Sequence, residues 1–382
     1  MKKIGIIGTG FIAQGLVNII NRSDNYMLSS ILTRIDTSKR KNFPKSELLT
    51  NSIDALINNS DLIVECSGDA IYATDSIAKI LDSSIPVVTM NTEFHITAGS
   101  YFVDKGYITE AEGDQPGSLA KLKEEIVEMG FKPLVYGNIK GFLNHNPTKE
   151  EMVYWSKKSG ISLDMVTSFT DGTKVQMEQA LVANGLNATI ANAGLIGLKE
   201  DNIQIGGSSL ALEAKKINQP ISDYLLSPKL PAGVFIVAEH DPEQREQLQY
   251  YKMGQGPYYV IERTFHLCHL EIIKTINRVF NGEGILLNNS KIPTISVATI
   301  AKKNLKKGLK ISKGIGSFEV RGEAIKIKEF KNHLPIGLCS NILLKRDIEE
   351  GEIITMNDIE IPESLALTAW RETLLLAVKL ED

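Results

Sequence analysis

The first apolar run, Lys3–Ile7, is short and unbroken, and helical spacing follows over Gln14–Asn21. Gly8-Thr9-Gly10-Phe11-Ile12-Ala13 stands between them. This order predicts a buried strand, a glycine turn and a helix. Met27–Leu32, Asp61–Cys66 and Pro86–Met90 read as further buried strands, with Ile71–Leu81 as a helix after the third strand. Ile108–Glu112 and Lys132–Tyr136 read as strands flanking an amphipathic helix, Ser118–Gly130. Residues 186–235 are small-residue helices and loops leading to a strand at Gly233–Ala238. After Asn281 the pattern turns basic and β-branched. There Ala301–Gly308 parallels Leu344–Gly351, each copy followed by a β-rich run, and a helix is expected over Ala369–Leu380. The alternation predicts an α/β chain in three parts: 1–110, 111–290 and a small β-rich part at 291–382.

One stretch breaks the pattern. Thr167–Gly185 (TSFTDGTKVQMEQALVANG) reads as a single helix. At helical spacing, Asp171, Lys174 and Glu178 share a face with Val175, Leu181 and Val182. Charges among docking residues are costly unless paired or used. The spacing lets Lys174 reach both carboxylates. Such a cluster serves either as a structural ion-pair network at a subunit interface or as an acid/base and anchoring site.

A chain of 382 residues with 43% hydrophobic content can bury a large core. A formal net charge of −4 gives no reason to expect nucleic acid or an anionic membrane as partner. The three cysteines, Cys66, Cys268 and Cys339, are far apart and form no disulfide framework, which suits a reducing cytoplasm. Glycines and Gln14 interrupt the N-terminal apolar run, so it is not read as a signal peptide. No apolar stretch is long enough to span a bilayer. The lysine-rich run at 302–313 reads as a solvated face rather than an RNA contact.

Gly8, Gly10 and Ala13 form the G-x-G-x-x-A dinucleotide fingerprint in its required place, after a strand and opening a helix. Gly8 permits the turn, Gly10 lets the backbone approach the pyrophosphate, and the helix start with Phe11 and Ile12 supplies donors. An N-terminal Rossmann domain is therefore expected. The second strand ends in Thr33 and Arg34, not in a carboxylate. Arg34 can hold a 2′-phosphate, so NADP(H) is favoured over NAD(H). The other reading is a solvated basic loop with Asp36 on the ribose. Ser67 and Gly68 give the nicotinamide half room to pass, and Asn91 and Glu93 stand at the next strand's carboxyl edge.

Lys140 lies between Gly137-Asn138-Ile139 and Gly141, where a lysine can anchor an anion or protonate a carbonyl oxygen. His266 and His269, three apart, read as hydrogen-bonding partners of a substrate rather than zinc ligands, because the usual helical zinc pair is four apart.

The sequence resembles homoserine-dehydrogenase-like oxidoreductases with a C-terminal SAF domain. The motifs are GTGFIAQGL, VECSG, PVVTMNTEF, EGDQPG, YGNIKG, the Thr167–Gly185 stretch, YKMGQGP and FHLCHLE. The repeat with "DIEEGEIITMNDI" is similar to SAF modules. The family includes a second type of 1-deoxyxylulose-5-phosphate reductoisomerase, an enzyme of isoprenoid precursor synthesis. The resemblance implies a Rossmann domain, an α/β catalytic and dimerisation domain, and a SAF domain. It implies an active-site lysine at Lys140 and a charged cluster at Asp171, Lys174 and Glu178. Asn138, two residues before Lys140, is read as a substrate contact with His266 and His269. The implied substrate is a small polar hydroxy or keto compound, in places phosphorylated. A reductoisomerase would also call for Mg or Mn. Ordinary homoserine dehydrogenases carry a lysine where Thr92-Glu93 stands, and space their helical Asp and Lys four apart rather than three. The competing expectations are homoserine-type oxidation of a small hydroxy acid and a non-catalytic NADP sensor. Small-residue helices near 186–198 suggest a homo-oligomer, dimer or tetramer.

Overall fold

Apolar runs without alternation belong to strands covered on both faces, and the N-terminal sheet of the computed structural model is of that kind. It contains β1 (Lys2–Ile7), β2 (Tyr26–Leu32), β3 (Leu49–Thr50), β4 (Leu62–Glu65), β5 (Val87–Thr89) and β6 (Ile108–Glu110). The strands run parallel in the order β3-β2-β1-β4-β5-β6, the doubly wound arrangement. Helices α1 (Phe11–Ile20), α2 (Ile53–Asn58) and α3 (Ala70–Asp82) are the crossovers. On one face Ala13, Leu16, Val17 and Ile20 of α1 pack with Ile4, Ile6 and Val64. On the other, Ala73, Ile77 and Ile80 of α3 pack with Ile7, Ile63 and Val87. Beyond β5 the chain forms α4 (Thr92–Phe94), a π-helical turn (His95–Gly99) and α5 (Ser100–Phe102).

The structure describes residues 1–379, which fall into two units. The first comprises Met1–Gly117, Leu267–Ile292 and the residues from Ser364 onward; the second comprises Ser118–His266 and Pro293–Glu363. The boundary runs through α6 (Gln115–Glu128).

The second unit is built on a mixed sheet. Its strands are β7 (Lys132–Lys140), β8 (Leu198–Lys199), β9 (Ile221–Leu226), β10 (Val234–Glu239) and β11 (Tyr259–Arg263), in the order β11-β10-β7-β9-β8. Strands β7, β8 and β9 are parallel, while β10 is antiparallel to β7 and β11. Strand β7 runs four residues further than the sequence pattern predicts. Gly137 reads as a turn residue, but it pairs with Phe235 inside the sheet. A Cβ there would fall 2.1 Å from the Phe235 ring, so the glycine makes room for the ring rather than a turn. Lys140 is therefore the last strand residue.

Helices α7 (Lys149–Ser159) to α10 (Ile203–Ile217) lie between β7 and β9. Helix α7 has a capping box between Thr148 and Glu151. The next two are α8 (Leu163–Thr170) and α9 (Thr173–Gly185). The expected single helix Thr167–Gly185 is thus two helices, a correction to the sequence reading. Asp171 ends the first, and Gly172, at φ +87°, turns the chain into the second. That left-handed conformation is one glycine adopts without penalty. Helix α10 (Ile203–Ile217) then packs Leu210, Ala211 and Ala214 against Val135, Leu225 and Val237 of the sheet.

After α11 (Arg245–Tyr250), helix α12 (Ile272–Phe280) joins the first unit through Ile272 and Ile276. The C-terminal β-rich segment has β12 (Ile295–Ala301) paired antiparallel with β14 (Val320–Lys326). A second small sheet joins β13 (Lys310–Ile311), β15 (Ile342–Leu344) and β16 (Ile359–Glu360). Helix α13 (Leu365–Lys379) places Ala369 in the core cluster of α3. It begins earlier than expected, and Leu380, the expected last residue, lies outside the described residues. Among the described residues no helix is long and apolar enough to cross a membrane.

His333 ties the C-terminal segment together. Its ring nitrogens face the Phe330 carbonyl at 2.6 Å and Ser296 Oγ at 2.7 Å. Burial pushes its pKa from 6.5 down to about 4, so the folded protein holds it neutral. Unfolding frees it to bind a proton, so its contribution is complete above pH 6.5 and is lost as pH falls toward 4. Urea unfolding at pH 7 and at pH 4 should show wild type losing about 3 kcal/mol more than His333→Asn across that interval.

Candidate active site

The candidate nucleotide site of the first unit follows from the end of β1. The Gly8 amide donates to the Leu32 carbonyl at 3.0 Å. Gly8 has φ +115°, and a Cβ there would meet the Cys66 carbonyl oxygen at 2.9 Å. Gly10 is the N-cap of α1 and offers no side-chain cap. A Cβ on it would meet nothing within 4 Å, so the ground in front of the helix is open. Phe11 is exposed and Ile12 half-buried, and both contribute first-turn amides that the helix itself cannot pair. Open space before an uncapped helix start suits a pyrophosphate.

Glu65 is fully buried and holds the neighbouring strand ends together. It accepts from the Ser67 amide at 2.7 Å and from Thr89 Oγ1 at 2.9 Å, and burial raises its pKa. Ser67 Oγ is buried without a hydrogen-bond partner, and a Cβ on Gly68 would meet nothing within 4 Å. An unpaired hydroxyl beside open space fits a polar group of a bound dinucleotide. Thr33 is buried, with its Oγ1 3.5 Å from that of Thr9. Arg34 donates to Asp69 at 2.7 Å and lies 4.4 Å from the Tyr72 ring centre, while remaining half-exposed. Asn91 Oδ1 caps α4 through the Phe94 amide at 3.0 Å, and Glu93 is buried in that turn. These residues fit NAD(P), which would rest on the Gly8–Ile12 turn and beside Ser67 and Gly68.

His269 is in this unit and sits against α1. Its ring packs edge-on to Phe11, and a Cβ on Gly15 would lie 2.3 Å from it. Gly15 is therefore small because His269 occupies its face, a reason no local pattern reveals. His266 belongs to the second unit and is half-buried.

A charged cluster lies in the second unit, on β7 and α9. Lys140 Nζ donates to Glu178 Oε2 at 2.9 Å, and Asn138 Nδ2 donates to the same oxygen at 2.8 Å. Residues two apart on a strand share a face, so Asn138 and Lys140 both point at α9. Glu178 is almost wholly buried, whereas the Lys140 side chain keeps 19% of its surface. Asn138 Oδ1 is buried and has no hydrogen-bond partner. Lys174 is buried in the first turn of α9.

Asp171 takes a different place. Its Oδ1 accepts the Thr173 amide at 2.8 Å, and its Oδ2 pairs with Lys302 at 2.7 Å. Burial lowers the Lys302 pKa, and the Asp171 carboxylate partly restores it. The solvated-face reading of 302–313 thus holds for Lys303, Lys306, Lys307, Lys310 and Lys313 and fails for Lys302. The available signal was its position, directly after the apolar strand ISVATIA. Beside this pair, a Cβ on Gly172 would lie 3.7 Å from the His145 ring, which no motif singles out. Among the described residues no three His, Cys, Asp or Glu side chains gather as a metal site.

Two family models match parts of the chain. Residues 8–99 match the model described as homoserine dehydrogenase, NAD binding domain. Residues 113–272 match the model described as oxidoreductase DRL, catalytic domain. The chain thus carries an NAD-binding Rossmann domain and a DRL-type oxidoreductase catalytic domain. It is an NAD(P)-dependent dehydrogenase or reductase. No curated protein sequence matches it. Solved structures that resemble it include a probable dehydrogenase from Thermotoga maritima, at 14% identity, covering 74% of this chain and 90% of that one, with a TM-score of 0.45. UDP-N-acetylglucosamine 3-dehydrogenase from Acidithiobacillus ferrooxidans is 10% identical, with coverage of 75% and 91% and a TM-score of 0.43. Dihydrodipicolinate reductase from Paenisporosarcina is 14% identical, with coverage of 75% and 97% and a TM-score of 0.39.

Gly8→Ala should raise the dissociation constant for NADPH by ~10-fold or more, because it combines a positive φ with a clash against Cys66. Fluorescence titration of NADPH with the folded variant checks this.

Proposed function

We propose that the protein is an NADP(H)-dependent oxidoreductase of a small polar hydroxy or keto compound. Within that class, a 1-deoxyxylulose-5-phosphate reductoisomerase-like activity is our reading. The observation that carries the catalytic assignment is the Asn138–Glu178–Lys140 arrangement, in which one buried carboxylate oxygen holds two donors while Asn138 Oδ1 is left unpaired. A buried unpaired acceptor beside an anchored ammonium suits a substrate hydroxyl next to a carbonyl. The bound cofactor would supply or accept the hydride. Lys140 donates a hydrogen bond, then a proton, to the oxygen on which negative charge develops. Glu178 orients Lys140, and Asn138 Oδ1 accepts from the adjacent hydroxyl. Lys174 provides a second cation for the substrate's anionic portion. Asp171 supports the helix and does not transfer the proton, since both of its oxygens are engaged inside the fold. A substrate with a phosphate ester accounts for two lysines in one cluster. The family model over 113–272 supports this class of reaction and leaves the substrate to experiment.

Arg34 supports the choice of NADP(H). It lies two residues beyond the end of β2 and pairs with Asp69, while Asp36, the other nearby carboxylate, accepts the Ser38 amide at 2.9 Å. Only one of its five N–H groups is used there, leaving a fork for a 2′-phosphate. Arg34→Ser should raise KM for NADPH ~10-fold or more and change KM for NADH by less than about twofold. Equal effects on both cofactors would assign Arg34 to the adenine or to the fold.

The functional reading is tested by following NADPH oxidation with 1-deoxyxylulose 5-phosphate, with and without Mg²⁺, in wild type and Lys140→Met. Turnover should fall by ~10²–10⁴ in the variant with NADPH affinity retained. Tight NADPH binding without turnover would remove this substrate, and small hydroxy acids and other sugar phosphates would be screened next.

A further inference from the structure

The helix that carries Lys174 and Glu178 is held at its first residue by buried bonds that lead into the C-terminal segment. Asp171 closes α8, Gly172 turns the chain, and Thr173 begins α9. Asp171 Oδ1 accepts the Thr173 amide at 2.8 Å, so the carboxylate defines where the helix starts. Its Oδ2 is 2.7 Å from Lys302 Nζ, and Lys302 also donates to the Ser317 carbonyl at 2.6 Å. The two side chains are 0% and 3% exposed. A carboxylate buried to that degree stays at the turn only while its cation is present.

The same segment grips α9 along its length. Thr173 Oγ1 accepts the Gly322 amide at 2.9 Å, and Gln176 Oε1 accepts the Ala324 amide at 2.8 Å. Asn184 Oδ1 accepts the Thr294 and Ile295 amides, both at 3.0 Å. Three side chains of α9 thus complete the backbone bonding of β12 and β14, and one lysine of the segment completes the α8–α9 turn. The ion pair stands three residues before Lys174, so a shift at this turn displaces Lys174 first.

We infer that Lys302 is a positioning residue for the reaction. Through Asp171 it sets where α9 begins, and so where Lys174 and Glu178 stand, and segment 293–363 serves as a clamp on that helix. The inference rests on the oxidoreductase reading of Lys140, Lys174 and Glu178.

The test compares full-length Lys302→Met, Lys302→Met/Asp171→Asn and Thr173→Val with wild type. It measures kcat, KM, the NADPH dissociation constant and amide hydrogen exchange. Lys302→Met should lower kcat ~10- to 100-fold while KM and NADPH affinity stay within about twofold. Exchange should rise at 171–178 and stay unchanged elsewhere. Adding Asp171→Asn leaves an amide oxygen to cap Thr173 and no buried charge to pair, so kcat should recover ~10-fold over the single variant. A kcat for Lys302→Met within about twofold of wild type overturns the inference, as does unaltered exchange at 171–178. A double variant as inactive as the single one, with normal exchange, also overturns it, because one of the two groups would then act on the substrate directly. Should Lys302→Met fail to fold, Thr173→Val decides: kcat ~3- to 10-fold lower with unchanged NADPH affinity supports the clamp, and unchanged kcat rejects it. If wild type turns over no substrate at all, the functional reading fails, and exchange at 171–178 still decides whether Lys302 fixes the helix start.

Discussion

Every residue of α9 from Thr173 to Asn184 is buried, and half of them are polar or charged. Such a helix can exist only where each polar side chain finds a partner, since an unmade hydrogen bond in the interior costs about 1–3 kcal/mol. The second unit meets that demand on several sides. Strand β7 supplies Asn138 and Lys140 for Glu178, while Gln179 donates to the Tyr136 carbonyl at 3.0 Å and to the Asp223 carbonyl. Strands β12 and β14 supply amides for Thr173, Gln176 and Asn184. The helix therefore joins the mixed sheet to the C-terminal segment.

That arrangement separates two kinds of buried charge. The Asp171–Lys302 pair is closed, because both partners are enclosed and the carboxylate uses both oxygens within the protein. The Lys140–Glu178 pair is less enclosed, because Lys140 keeps part of its surface, and Asn138 Oδ1 beside it has no hydrogen-bond partner. An enclosed pair of that kind specifies geometry. The nucleotide-binding unit shows the same contrast. Glu65 is enclosed and fixes two strand ends, while Ser67 and the uncapped start of α1 remain available.

The first ninety residues were largely legible because their signals are local. A buried strand, two glycines and a small residue in helix–strand contact suffice to place β1, the turn and α1, and the structure has them there. The mixed sheet was less legible. Gly137 reads as a turn, since glycine usually serves backbone freedom, yet here it yields space to Phe235, a residue almost a hundred positions away. Gly15 is a similar case, with His269 as the distant occupant. A single sequence lists the small residue but not the ring that requires it.

The cluster Asp171, Lys174 and Glu178 shows where the sequence stops. Their presence among apolar neighbours marked them as buried and in need of partners, and that was correct, because the cost of burying charge does not depend on which partner meets it. The partners themselves came from elsewhere: Lys302 for Asp171, and Lys140 with Asn138 for Glu178. Helical spacing offered Lys174 for both carboxylates on one helix, whereas Asp171 closes α8 and Gly172 turns the chain before α9 begins. Sequence alone determined the fold class, the nucleotide turn and which charges had to be buried, since these depend on residue type and short spacing. Only the tertiary structure decided which charge meets which, because pairing depends on segments more than a hundred residues apart being packed onto one helix.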